Sequence, residues 1–216
     1  DIGRTSLGKG PFASFDEATA RAAISAAPPI CVAELQKSFV ESDRVALALD
    51  GAGNVKLPPG LSAAYHVFYD NESHLLTVPE RMGGMGAPPS VGWAGFEFVA
   101  GANAPLAFYL FGSFVSRTID RHGTEGQKKR FIPSLIGKRW GGSMVLTEPE
   151  AGSDVGAGRT RARHVEGELY EIEGTKRFIT NGDFDCVENI VHMVLARPEG
   201  AGAGTKGLSL FLVPKF

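Results

Sequence analysis

At 216 residues, with 43% hydrophobic and 21% charged residues, the chain can bury a sizeable core and fold as one or two domains. A net charge of −2 excludes a general electrostatic attraction to nucleic acid or to an anionic membrane surface, and Lys128-Lys129-Arg130 reads as a solvated helix face. No apolar run reaches roughly 18 residues, so no membrane-spanning helix is expected. Cys31 and Cys186 are too few for a disulfide framework and fit a reducing cytoplasm.

The first two-thirds of the chain have helical periodicity. Asp16 is placed to cap a helix that runs to Ala27 and is closed by Pro28-Pro29. From Val32 to Leu49 apolar residues recur at helical spacings, among them Val32, Leu35, Phe39 and Ala46. Asp50 to Asn54 is a turn, Lys56 to Gly60 a loop and Leu61 to Asp70 a short helix. Leu75 to Val78 is a short apolar run, followed by the glycine-rich stretch Pro79 to Gly86, which is better read as a tight connection between helices than as a phosphate cradle. Pro89-Ser90 opens a helix to about Ala102. Pro105 sits in the first turn of another, whose run Leu106 to Ile119 is expected to be buried on most sides. Gly123 is a candidate left-handed cap. Thr124 and Gln127 have capping-box spacing for a last helix that turns Phe131, Leu135 and Ile136 inward and ends near Gly137.

After Trp140 the period shortens to two. Ser143–Thr147, Arg159–Val165, Leu169–Thr175, Lys176–Thr180, Ile190–Arg197 and Leu208–Val213 are β-branched or alternating runs, and Val165 to Glu168 signals a hairpin. The change of period predicts an α+β chain: an all-α domain over 1–140, then a β-barrel-like domain over 141–216, with the boundary near 138–142.

Several motifs dissolve on inspection. Gly202 to Gly207 spells G-x-G-x-x-G, but a strand follows it, so the helix dipole that would hold phosphate is missing. Asn71-Glu72-Ser73 is a glycosylation sequon only by spelling. The five histidines lack zinc spacing, no metal site is expected, and no nucleophile elbow surrounds Ser143. Glu148 and Glu150 could pass for paired carboxylates, yet Pro149 between them favours a rigid turn that sets up Gly152-Ser153.

Two segments carry chemistry. Leu146-Thr147-Glu148-Pro149-Glu150-Ala151-Gly152-Ser153-Asp154 and Arg177-Phe178-Ile179-Thr180-Asn181-Gly182 each set hydroxyls (Thr147, Ser153, Thr180) beside glycines or a turn, directly after strand-forming residues. Backbone amides and hydroxyls can approach a pyrophosphate where glycine removes the side chain, and an aromatic such as Phe178 can cover a flat ring. These two motifs in register resemble the flavin-binding segments of the acyl-CoA dehydrogenase family. Gly123 to Phe131 resembles the helix that precedes that family's β-domain. The segments Leu195 to Gly200 and Gly204 to Phe211 resemble its longer, broad-specificity fatty acyl-CoA members and the 3-methylmercaptopropionyl-CoA dehydrogenases.

The resemblance implies a helical domain, a β-domain and a C-terminal helical bundle, the last absent from these residues. It implies FAD as cofactor, an acyl-CoA thioester as substrate, α,β-dehydrogenation as reaction and an electron-transfer flavoprotein as acceptor. Met144, Leu146 and Thr147 would then lie along the flavin ring edge. Gly152 and Ser153 would lie at the loop shared by flavin and CoA, with Ser153 also on the substrate side. Phe178 stands where the family has tryptophan over the ring, and Thr180 would reach the N5 region. Glu150 replaces a common glycine beside the phosphate loop. The family's catalytic glutamate lies in the bundle, so no catalytic base is expected within these residues. The chain is therefore expected to be a piece of a longer protein, or a subunit completed by a companion chain or in a homo-oligomer. A flavin oxidase or monooxygenase of the same fold, or a non-catalytic partner subunit, is the alternative expectation.

Overall fold

The computed structural model describes residues 6–216. Helix α1 (Glu17–Ile30) is capped by Asp16, whose carboxylate accepts the Thr19 amide at 2.8 Å. Contrary to the sequence reading, Pro28-Pro29 does not close the helix. The chain continues as a wider-wound π segment (Cys31–Leu35), a 3-10 turn (Gln36–Ser38) and α2 (Phe39–Arg44). Two successive residues without amides weaken the ladder, and the looser turn next to them accommodates the loss without ending the rod. Leu35 is buried as expected, but Val32 and Phe39 are exposed, because this irregular winding breaks the regular spacing on which the inward face was predicted. The helical expectation to Leu49 also fails. Ala48–Leu49 (β1) pairs with Val55–Lys56 (β2) across the Asp50–Asn54 turn, where the Asp50 carboxylate accepts the amides of Ala52 and Asn54.

Helix α3 (Pro59–Asp70) supplies Leu61, Ala64, Tyr65, Phe68 and Tyr69 to the main core. Helix α4 (Pro89–Ala102) follows. The single run foreseen over Leu106–Ile119 is divided into α5 (Ala104–Ala107) and α6 (Gly112–His122). Buried Asn103 caps the short piece by accepting the Leu106 amide, and its own amide reaches Leu35 O and Ser38 Oγ. Gly123 is extended (φ −76°), not left-handed; a side chain there would strike the Ile119 carbonyl, so it is glycine because of crowding. The capping box of α7 (Glu125–Gly137) forms as read. Phe131 and Leu135 are buried, whereas Ile136 is only partly so.

A mixed five-stranded sheet follows: β3 (Gly141–Val145), β4 (Arg161–Glu166), β5 (Leu169–Glu173), β6 (Ile190–Pro198) and β7 (Ser209–Pro214). Long β6 is its centre, pairing parallel to β3 and β4 and antiparallel to β7. The expected strand Lys176–Thr180 does not form; it is a loop with Phe178 and Asn181 in the left-handed region. The helices and the sheet share apolar cores. Phe184 and Ile190 enter the α3 core, while Val115, Ile119, Phe131 and Leu135 pack on Val191 and Met193. Gly142 is bare because α6 presses on it with Val115 and the Phe111 carbonyl. Among the described residues, no helix is long and apolar enough to cross a membrane.

Candidate functional site

The two chemistry-bearing segments, about thirty residues apart in sequence, are docked side by side. The Arg177 amide donates to the Thr147 carbonyl at 2.9 Å. The Lys176 ammonium donates to the Leu146 carbonyl and to Glu148 Oε1, each at 2.9 Å. Asn181 Nδ2 donates to the Gly142 carbonyl at 2.6 Å. The second segment is thus clamped along β3 and its continuation.

Glu148 organises this clamp. It is 5% exposed and accepts the amides of Arg159 and Thr160 as well as Lys176. Burial opposes its ionisation, but these donors outweigh burial and hold its pKa at about 2. An isolated bridge from Glu148 to Ala151 then folds the chain so that Gly152 and Ser153 project into solvent. The turn reading of Glu148-Pro149-Glu150 is the one the geometry supports. What the sequence did not show is that Glu148 is the anchor of that turn and Lys176 its counter-ion. A lysine in an apparently alternating strand gave no signal of burial.

Met144 lies on β3 with its side chain partly exposed, and Leu146 and Thr147 are half-buried just beyond the strand. Gly152 has nothing within 4 Å of where a Cβ would stand, so its backbone is open to close approach. No hydrogen bond among the described residues joins Gly152 or Ser153 directly to the Phe178 segment; the link runs through Ala151, Glu148 and Lys176. The hydroxyls of Thr147, Ser153 and Thr180 hydrogen-bond to no described residue. Phe178 is 80% exposed at φ 59°, with the Arg177 guanidinium 4.7 Å from its ring centroid. A bulky residue in that backbone region is strained and persists only where its surroundings enforce it; such strain gathers at ligand sites. The arrangement therefore offers a partly apolar floor, free hydroxyls, an open glycine turn and an exposed ring held out by a strained loop.

A partly buried pair lies next to this surface. Ser143 Oγ is 2.7 Å from His192 Nδ1 across the β3–β6 pairing. Burial keeps the imidazole below its ordinary pKa, and fully buried Ser143 cannot meet a substrate, so the pair serves the sheet. Among the described residues no group of three His, Cys, Asp or Glu side chains is placed to hold a metal.

Comparison with known proteins is consistent with this layout. Among curated proteins, the chain is 43% identical to the broad-specificity linear acyl-CoA dehydrogenase FadE5 of Mycobacterium tuberculosis over 97% of its own length and 34% of the relative's. It is 45% identical to the 3-methylmercaptopropionyl-CoA dehydrogenase of Ruegeria pomeroyi over 76% of its length and 28% of the relative's. The chain thus spans about a third of these relatives. Among solved structures, a probable acyl-CoA dehydrogenase from Mycobacterium abscessus superposes with a TM-score of 0.67 at 28% identity, covering 90% of this chain and 48% of that one. An acyl-CoA dehydrogenase from Geobacillus kaustophilus shares the fold with a TM-score of 0.70 at 22% identity, covering 91% and 48%. Residues 56–139 match the model of the acyl-CoA dehydrogenase N-terminal domain and residues 143–216 that of the middle domain. With both domain models matched in order, and the clamped loops formed within the second, the chain belongs to the acyl-CoA dehydrogenase family.

Proposed function

We propose that the polypeptide carrying this chain binds FAD and oxidises an acyl-CoA thioester to its α,β-unsaturated product, with residues 1–140 as helical domain and 141–216 as middle domain. The observation that carries this reading is the docking of the Phe178 loop against Thr147, which gathers free hydroxyls, an open glycine turn and an exposed aromatic in one region. These residues fit a group with a flat ring and a pyrophosphate. When bound, FAD supplies the hydride acceptor for the substrate β-carbon. Met144, Leu146 and Thr147 would hold the ring edge, Phe178 would cover a face of the ring and Thr180 would lie on the side where hydride arrives. Gly152 and Ser153 would hold the loop shared by flavin and CoA, the Ser153 hydroxyl donating to a phosphate oxygen. An apolar cavity of about 470 Å³, walled in part by Phe114 and by Phe111, whose carbonyl lies against Gly142, would take the acyl chain.

Removal of the α-proton needs a carboxylate free to accept it, and Glu148 is not free. Its lone pairs are committed to two amides and an ammonium, and a pKa of about 2 makes it a weak base. We assign the base to a segment outside residues 1–216, on the same polypeptide, on a companion chain or in a homo-oligomer, and an electron-transfer flavoprotein would be the electron acceptor.

The test is FAD titration of the intact polypeptide, followed by its visible spectrum. A protein that stays colourless with excess FAD rejects the reading. Ser153→Ala should weaken FAD retention by roughly tenfold or more, the worth of a hydrogen bond to a charged group; unchanged affinity removes Ser153 from the site. Phe178→Trp should be tolerated and should shift the flavin spectrum or potential. If both stay put, Phe178 does not contact the ring.

A further inference from the structure

Where strand β6 ends and β4 begins, three arginines line one polar cleft of about 460 Å³. Arg159 and Arg161 flank buried Thr160, and both are exposed. Arg197 is the parallel cross-strand partner of Arg161, so these two side chains leave the sheet on one face. Two backbone bonds fix that pairing: the Arg197 amide donates to the Thr160 carbonyl at 2.9 Å, and the Glu199 amide to the Ala162 carbonyl at 3.0 Å. Like charges set directly opposite one another destabilise a sheet. Nothing nearby offsets this. Among the described residues that line the cleft, Glu199 is the one acid, and the guanidinium groups of Arg159 and Arg161 make no ion pair or hydrogen bond. Glu173, the partner of Arg161 across β5, is not ion-paired with it, and Glu171 is engaged by Arg163.

Arg197 has a different task from the other two. Its guanidinium donates to the carbonyls of Gly202, of Gly204 at 3.1 Å and of Gly156 at 2.8 Å. These bonds tie the loop after β6 to the turn before β4 and build the wall of the cleft. Carbonyls carry no net charge, so the positive charge of Arg197 stays uncompensated. Gly200, at φ 79° and with nothing within 4 Å of where a Cβ would stand, leaves the rim open. Two free guanidinium forks beside a third fixed cation suit a doubly charged anion better than a single carboxylate, and the fork geometry matches phosphate oxygens. The cleft is fastened to the proposed cofactor region, because the Arg159 amide donates to Glu148, whose bridge to Ala151 sets the Gly152-Ser153 turn.

We infer that Arg159 and Arg161, on the wall held by Arg197, bind a phosphate dianion. Two sources share that chemistry: the 3′-phosphate on the nucleotide of a CoA thioester, and free inorganic phosphate. The phosphate site stands on the cleft alone; its assignment to CoA rests on the acyl-CoA reading above.

The experiment is calorimetric titration of the intact polypeptide with CoA, 3′-dephospho-CoA and inorganic phosphate, a readout that does not depend on turnover. CoA is expected to bind about tenfold to a hundredfold more tightly than dephospho-CoA, the worth of a charge-assisted hydrogen bond. The double substitution Arg159→Gln with Arg161→Gln should erase that difference. Arg159→Lys with Arg161→Lys, which keeps the charge and loses the fork, should retain part of it. Equal affinity for the two nucleotides, with phosphate bound by the wild type and lost in the glutamine variant, upholds the site and assigns it to free phosphate. Phosphate bound in that way while neither nucleotide binds upholds the site and counts against the acyl-CoA reading. Equal affinity for the two nucleotides without phosphate binding, or a preference for CoA that survives the glutamine variant, overturns the inference and leaves the acyl-CoA reading standing. Failure of all three to bind overturns both.

Discussion

Glu148→Ala is expected to destabilise the chain by about 3–5 kcal/mol, the cost of removing one partner from a buried ion pair. The substitution leaves Lys176 largely buried with only the Leu146 carbonyl, and it strips the amides of Arg159 and Thr160 of their acceptor. Urea unfolding of the intact polypeptide measures the loss. A change below about 1 kcal/mol would show that these bonds are replaced by water at little cost. Because the Glu148 carboxylate holds Lys176, which in turn bonds the Leu146 carbonyl, loss of the anchor should also release the Phe178 loop and abolish FAD retention. The same carboxylate gives a pH signature. Its folded pKa of about 2 lies below the ordinary glutamate value of 4.5, so its contribution is complete above that value and is lost as pH falls from 4.5 through 2. The gap corresponds to about 3 kcal/mol. Glu148→Gln should flatten the stability profile in that window. A wild-type profile already flat between those values would contradict the ionised anchor.

Phe184→Ala should have a comparable effect by a different route. Phe184 is 3% exposed, with ring centroids 5.6 Å from Tyr65 and 5.1 Å from Tyr109. It lies in the loop before β6, so its ring pins that loop into the core of α3. Truncating a buried phenylalanine costs about 3–5 kcal/mol through lost transfer energy and the cavity left behind. Beside it, Asp183 and Asp185 accept the amides of Val55 and Leu57, and Asp183 pairs with Lys215. The variant should therefore loosen the β1–β2 hairpin and the sheet together, visible as faster amide exchange at Val55 and Leu57. If exchange there is unchanged while global stability falls, Phe184 is a core residue without a role in joining the two parts.

The sequence by itself determined the local elements whose signals are local. Asp16 and the Thr124–Gln127 box start helices because a side-chain oxygen needs only the amides of the next turn. The strands of the five-stranded sheet were legible as alternating or β-branched runs, and residue types alone singled out the two segments as candidates for chemistry. Their union was not legible. It depends on Lys176 reaching Leu146 and Glu148, and on Asn181 reaching Gly142, contacts that span 28 to 39 residues. The predicted strand at Lys176–Thr180 failed for the same reason: its backbone is captured by Thr147 and forced into left-handed geometry at Phe178 and Asn181. The helix through Pro28-Pro29, the break between α5 and α6 and the bareness of Gly142 were likewise decided by packing between distant elements. Local propensity sets which conformations are cheap, but burial and long-range hydrogen bonds choose among them once the chain is compact.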